Sequence, residues 1–264
     1  MTIPLFHVDA FTDKPFAGNP AAVCILPDER PDAWMQQVGA EMNLSETAFV
    51  QKQGDGFRLR WFTPKVEVDL CGHATLASAH VLWEEGYARP DEIIRFDTRS
   101  GVLTASRNAD FIELDFPLIP EESATEPPGL ADALGVKPRY VGKGRFDYLI
   151  EVESEETLRK LAPNFRQLTS LPIRGLIVTS RSARPEFDFV SRFFAPGEGI
   201  DEDPVTGSAH CCLAAYWRKH LHKDSFVAYQ ASARGGVVRV RVSGERAILG
   251  GQAVTVSKGV LLAN

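Results

Sequence analysis

The sequence predicts an α+β fold of two similar halves, each a sheet or half-barrel with its helix, and three observations predict it. The first is an internal repeat. RWFTPKVEVDLCGHATLASAHVLW, Arg60 to Trp83, is matched by RFFAPGEGIDEDPVTGSAHCCLAAYW, Arg192 to Trp217. Each runs Arg, two aromatics, a small residue, Pro, an acidic loop, then Gly-x-Ala opening an Ala-rich helix, and the second loop is three residues longer. The second observation is that strand-like and helix-like runs precede both copies in the same order. The third is PLIPEESATEPP, Pro117 to Pro128, between the halves: rich in Pro and Glu, poor in apolar residues, a linker composition.

Taken in order, the first half offers an apolar strand at Ala21 to Leu26, a helical stretch at Asp32 to Met42, and strands at Thr47 to Val50 and Phe57 to Phe62. The second offers strands at Tyr148 to Val152, Gly175 to Thr179 and Phe187 to Phe194, with a helical stretch at Glu155 to Leu161. Alternation and β-branched content mark the strands, and apolar spacing near 3.6 marks the helices. The expected halves are residues 1–116 and 129–264, joined by the linker 117–128, with a cleft lined by the two motif loops.

Composition bounds the function. Hydrophobic residues make up 44% and charged residues 24% of 264, an ordinary globular balance. The formal net charge is −6 with no basic block, so nucleic acid is not an expected partner. No apolar run approaches the roughly 20 residues that span a bilayer, and MTIPLFHVDAF lacks the pattern of a signal peptide, so a cytoplasmic protein away from the membrane is expected. Cys24, Cys71, Cys211 and Cys212 fit no zinc spacing and read as reduced thiols; no metal is expected. P-loop, Gly-x-Gly-x-x-Gly, Gly-x-Ser-x-Gly and zincin motifs do not occur, which counts against nucleotide, dinucleotide and serine-hydrolase chemistry.

The chemistry gathers at the repeat. Gly72 and Gly207 each open a helix whose first N–H groups and dipole suit a carboxylate or phosphate, and as a matched pair they favour binding over mere close packing. His73 follows the first glycine and Ser208 the second. Asp201, Glu202 and Asp203 crowd three carboxylates together, which fits either a solvated loop or a site acid with a raised pKa. In NLSETAFV, Ser45 and Glu46 sit between a helix end and an apolar strand, where Glu46 is either a general acid–base or a solvated turn residue. PFAGNPAAV has the Gly-Asn-Pro punctuation of a turn entering a strand and makes Asn19 a candidate for shaping the site. Cys211 and Cys212 read as small core residues.

Together DAFTDKPFAGNPAAV, MNLSETAFV, DLCGHATLAS and DEDPVTGSAH resemble the PhzF-like phenazine biosynthesis family, from Asp9 to the last strands. The resemblance implies the diaminopimelate epimerase fold: two pseudo-symmetric domains, each a mostly antiparallel sheet wrapped round a central helix. It implies a cofactor-free isomerase, commonly a homodimer, acting on a small carboxylate-bearing substrate such as trans-2,3-dihydro-3-hydroxyanthranilate. The family's catalytic glutamate falls on Glu46, its histidine on His73, its aspartate on Asp203 and its serine on Ser208. Gly72 and Gly207 match the backbone positions that hold the substrate carboxylate. Epimerases of this fold use two cysteines; here Cys71 matches the first, but Asp203 replaces the second. A two-thiol racemase is therefore disfavoured, Cys71 and His73 are not expected to act as a thiol–base pair, and pairing of Cys71 with Asp203 stays open, as does a binding protein that has lost turnover.

Overall fold

The computed structural model describes residues 2–262. The extreme ends of the expected halves, residues 1 and 263–264, lie outside them. The chain divides into two compact units, one of Met1–Asp115 with Gly250–Asn264, the other of Phe116–Leu249.

The first unit contains β1 (Ile3–Ala10), β2 (Asn19–Leu26), α1 (Asp32–Met42), β3 (Glu46–Gln53), β4 (Gly56–Phe62), β5 (Glu67–Val68), α2 (Gly72–Glu84), β6 (Ile94–Thr98) and β7 (Gly101–Asn108), and β8 (Phe111–Pro117) runs to its boundary. The second contains β9 (Glu122–Ser123), α3 (Leu130–Leu134), β10 (Tyr140–Lys143), β11 (Tyr148–Glu151), α4 (Glu155–Lys160), α5 (Phe165–Thr169), β12 (Leu176–Arg181), β13 (Phe189–Ala195), β14 (Ile200–Asp203), α6 (Gly207–Leu221), β15 (Ser225–Gln230) and β16 (Gly236–Ser243), with β17 (Arg246–Gly251) at its end. The last strand is β18 (Ala253–Leu261).

The sheets repeat as the sequence does. In the first unit β1 lies antiparallel between β18 and β2; β2 and β3 are parallel, β3 and β4 antiparallel, β4 and β6 parallel, β6 and β7 antiparallel. In the second, β10 lies antiparallel between β9 and β11; β11 and β12 are parallel, β12 and β13 antiparallel, β13 and β15 parallel, β15 and β16 antiparallel. Each parallel pair is reached through a helical crossover: α1 for β2–β3 and α2 for β4–β6 in one unit, α4 with α5 for β11–β12 and α6 for β13–β15 in the other.

Two of the expected boundaries change. β18 pairs along β1 from Ile3↔Leu261 to Ala10↔Ala253, so the C-terminal strand belongs to the first unit and not to the C-terminal half. The stretch 117–128 is not a free linker: Glu122–Ser123 pairs with Gly142–Lys143, and Glu121 is buried against Lys219. β9 thereby takes the place in its sheet that β18 takes in the first. Pairing at long sequence separation leaves no local mark on composition.

Both sheets are covered on two faces. In the first unit α2 packs on β1, β2, β3 and β18, and its residues from His73 to Ala79 and Val81 to Trp83 are buried. A helix apolar all round is stable only when enclosed. On the opposite face α1 seals Phe49 and Phe62 with Trp34 and Met35, through edge-to-face ring pairs at 6.0 and 5.5 Å. In the second unit α6 is buried from Ala209 to Trp217. Its Trp217 stacks on Phe189 at 5.6 Å and donates Nε1–H to Thr179 Oγ1 at 3.0 Å. The short helices α3, α4 and α5 cover the other side around Leu158, Leu168 and Phe194.

Leu76 is fully enclosed at the centre of α2. Leu76→Ala is expected to lower the unfolding free energy by about 2–5 kcal/mol in a urea titration, with cavity cost added to lost burial; a change below about 1 kcal/mol would show that the helix is not the core of its unit.

Candidate active site

The predicted residues fall into two groups, one in each unit. In the first, three chain segments meet. The parallel register pairs Ala21 with Glu46, so β2 and β3 begin side by side, placing Asn19 and Glu46 at neighbouring strand starts. The first turn of α2 brings His73 to them, and the residue before the helix, Cys71, sits in extended backbone.

His73 is the hub. Asn19 Nδ2 lies 3.2 Å from His73 Nδ1, Cys71 Sγ lies 3.5 Å from the same nitrogen, and Glu46 Oε2 lies 3.3 Å from Nε2. An amide NH₂ can only donate, so Nδ1 is the acceptor and the ring proton resides on Nε2, the nitrogen nearest Glu46. Burial pushes the imidazole down to about 3, against a smaller opposing effect from the Pro20 carbonyl, so the ring is neutral near pH 7. The close approach to Glu46 is therefore a neutral imidazole beside a carboxyl group, not an ion pair. Ser45 precedes Glu46 at half-buried depth. Cys71 and His73, which the sequence does not lead one to expect as a thiol–base pair, lie within contact distance of each other.

In the second unit Asp203 closes β14, and Thr206 precedes α6. Thr206 Oγ1 donates to Asp203 Oδ2 at 2.5 Å. Gln230, fully buried at the end of β15, accepts from the Thr206 N–H at 2.9 Å and donates to the Asp203 carbonyl at 2.7 Å. The acidic loop is sorted by this arrangement. Glu202 is held in a two-pronged pair with Arg192, at 2.7 and 2.8 Å, while Asp201 is exposed. Thr206 and Gln230 escaped the sequence reading; Thr206 lies inside DPVTGS, but Gln230 stands in a strand with no motif around it.

The two helix starts are built alike. Neither Cys71 nor Thr206 provides a side-chain cap. In each, a residue one turn on bonds back to that carbonyl: Thr75 Oγ1 to Cys71 O at 2.5 Å, His210 Nδ1 to Thr206 O at 2.8 Å. Arg60 grips Glu67 through 2.7 and 2.6 Å bonds, as Arg192 grips Glu202. Such uncapped helix ends leave N–H groups and a positive dipole end for an anion. Gly72 and Gly207 occupy the first helical position, with Ser208 half-buried beside the latter. Cys24, Cys211 and Cys212 are buried, and burial holds their thiols up at about 12, so they stay protonated and inert.

The chain as a whole is matched by known proteins. The family model described as phenazine biosynthesis-like protein covers residues 8–259. The chain belongs to the PhzF family. It is 56% identical to an uncharacterized isomerase of Halalkalibacterium halodurans over 99% of both chains. A PhzF-family crystal structure from Enterococcus faecalis superposes with a TM-score of 0.94, at 44% identity over 99% of both chains. A hydroxyproline epimerase from Agrobacterium vitis, 12% identical, shares the fold with a TM-score of 0.63 over 100% of this chain and 93% of that one. Like the named relatives, this PhzF-family chain is an isomerase. No helix among its described residues is long and apolar enough to cross a membrane.

The buried histidines set a pH dependence. His73 at about 3 and His210 at about 4 both lie below the unfolded value of 6.5, and burial also moves His80 down. Below pH 6.5 the unfolded chain takes up protons that the folded chain refuses. Stability is thus present above 6.5 and is lost as pH falls toward the folded values, by up to about 1.4 kcal/mol per pH unit per histidine. Urea unfolding at pH 7.5, 6 and 5 is expected to show this decline, and a flat profile would contradict the buried neutral rings.

Proposed function

We propose that this PhzF-family isomerase moves a proton between carbons of a small carboxylate-bearing substrate, of the trans-2,3-dihydro-3-hydroxyanthranilate type, without a cofactor, and that Glu46 is its general acid–base. The observation that carries the reading is the neutral His73 beside Glu46, with its Nε2 at 3.3 Å. A charged imidazolium there would hold the carboxylate ionised and make it a poor base. A neutral ring can hydrogen-bond to Glu46 while leaving it free to accept a proton from one carbon and return it to another. Asn19, donating to Nδ1, keeps the ring in the tautomer that serves this role.

The substrate carboxylate is assigned to the helix starts at Gly72 and Gly207, with Asp203 and Ser208 as polar arms that bind and polarise it. The second group enters through the repeat and the family resemblance. Its support in the structure is local: Thr206, Gln230 and the Arg192–Glu202 pair fix Asp203 at the mouth of α6.

One observation favours a second reading. Cys71 Sγ sits 3.5 Å from an accepting ring nitrogen, as a thiol acid–base would, which keeps epimerisation of an amino or hydroxy acid by Cys71 and Asp203 in play. Incubation with candidate acids in deuterated water, followed by NMR, separates the two. Glu46→Gln is expected to reduce deuterium incorporation at carbon by about 10²–10⁴-fold, and Cys71→Ser to leave most of it. The reverse pattern would transfer the chemistry to the thiol, and binding without exchange across the panel would make the chain a binding protein.

A further inference from the structure

The donors around His73 are of three kinds. Thiol, imidazole and carboxylate, from Cys71, His73 and Glu46, each offer an atom within 4.8 Å of the other two, and two of the three side chains are buried. Cys71 and His73 stand two residues apart and Glu46 comes from an earlier segment, so cysteine spacing alone carries no zinc pattern. From this geometry we propose that the site binds a single zinc-class divalent cation, and that the bound ion blocks the isomerase by engaging Glu46. The blocking half of the proposal rests on the role given to Glu46 above; the binding half does not.

The distances fit the ion. Zinc–sulfur bonds of about 2.3 Å and zinc–nitrogen bonds of about 2.05 Å at a tetrahedral angle separate the two donors by about 3.6 Å. Cys71 Sγ and His73 Nδ1 are 3.5 Å apart. Nδ1 carries the ring's lone pair, so the ion enters there in place of the Asn19 N–H. The other ring nitrogen, Nε2, keeps its proton on the side of Glu46. Glu46, whose ligand atom lies within 4.8 Å of the other two, then has to swing inward to reach a bonding distance, taking the carboxylate away from substrate. Water fills the fourth position. Coordination converts the Cys71 thiol to thiolate and releases one proton to solvent. A thiolate and an imidazole select zinc over magnesium or calcium, which prefer oxygen-only sites.

Zinc itself is the probe, titrated into metal-free protein against a chromophoric chelator, with cobalt(II) as its spectroscopic substitute. One equivalent is expected to bind, cobalt is expected to show thiolate-to-metal charge-transfer absorption, and Cys71→Ser should weaken zinc at least tenfold and abolish that absorption. The wild-type cobalt spectrum decides the point even where the variant folds poorly. No binding, binding without the thiolate band, or equal affinity in a folded Cys71→Ser protein would overturn the site. Zinc should also suppress wild-type deuterium exchange, a chelator should restore it, and Cys71→Ser should exchange in zinc that silences the wild type. Exchange that continues with zinc bound would overturn the blocking role. A wild-type protein showing no exchange at all would instead refute the role of Glu46, with the binding titration still deciding the metal site.

Discussion

The enclosure of α2 is the constraint on which the first unit's chemistry depends. A helix carrying Ala74, Leu76, Ala77, Ala79, Val81 and Leu82 has no face to offer water, so strands must surround it. That requirement recruits β18 from the far end of the chain to complete the wall beside β1. It also places the helix start, the one part of a buried helix with unpaired N–H groups, where β2 and β3 begin. His73 is buried because it sits in the first turn of this enclosed helix, and it is neutral because it is buried. The neutral ring beside Glu46 follows from packing.

The second unit meets the same constraint with different polar ends. Arg192 holds Glu202 as Arg60 holds Glu67, and His210 bonds back to its helix start as Thr75 does. What differs is the residue at each mouth. The first carries a thiol and an imidazole against a glutamate; the second carries an aspartate bound by a threonine hydroxyl and a buried amide. One scaffold, stated twice, thus presents two chemically unlike faces.

Much of this was legible in the residues. The helix at Asp32–Met42 has the same limits in sequence and structure, since Pro31 precedes its start and Asn43 takes a left-handed conformation at its end. The glycine motifs located both central helices because small, uncharged residues on all sides leave few alternatives. What stayed hidden was non-local. Nothing in AVTVSKGVL says that its partner is β1, over two hundred residues earlier. Gln230 looks like any polar strand residue until its amide is found spanning Thr206 and Asp203. The apparent linker misled because Glu121 and Glu122 suggested solvent, whereas one is paired with Lys219 and the other lies in a strand.

The glutamate and thiol mechanisms share one ring, and that sharing bears on which of them operates. With Asn19 donating to Nδ1, the imidazole carries its proton on Nε2, the nitrogen nearer Glu46, and its lone pair on Nδ1, the nitrogen nearer Cys71. In this tautomer the ring can receive a proton only on the thiol side, and doing so would place a cation in a site where burial pushes the imidazolium form down to about 3. Deprotonating Cys71 through His73 is therefore opposed by desolvation of the product ion pair. Proton exchange on Glu46 creates no charge on the ring at any stage. The same Asn19 contact that orients His73 thus favours the proposed carboxylate route over the proposed thiol route.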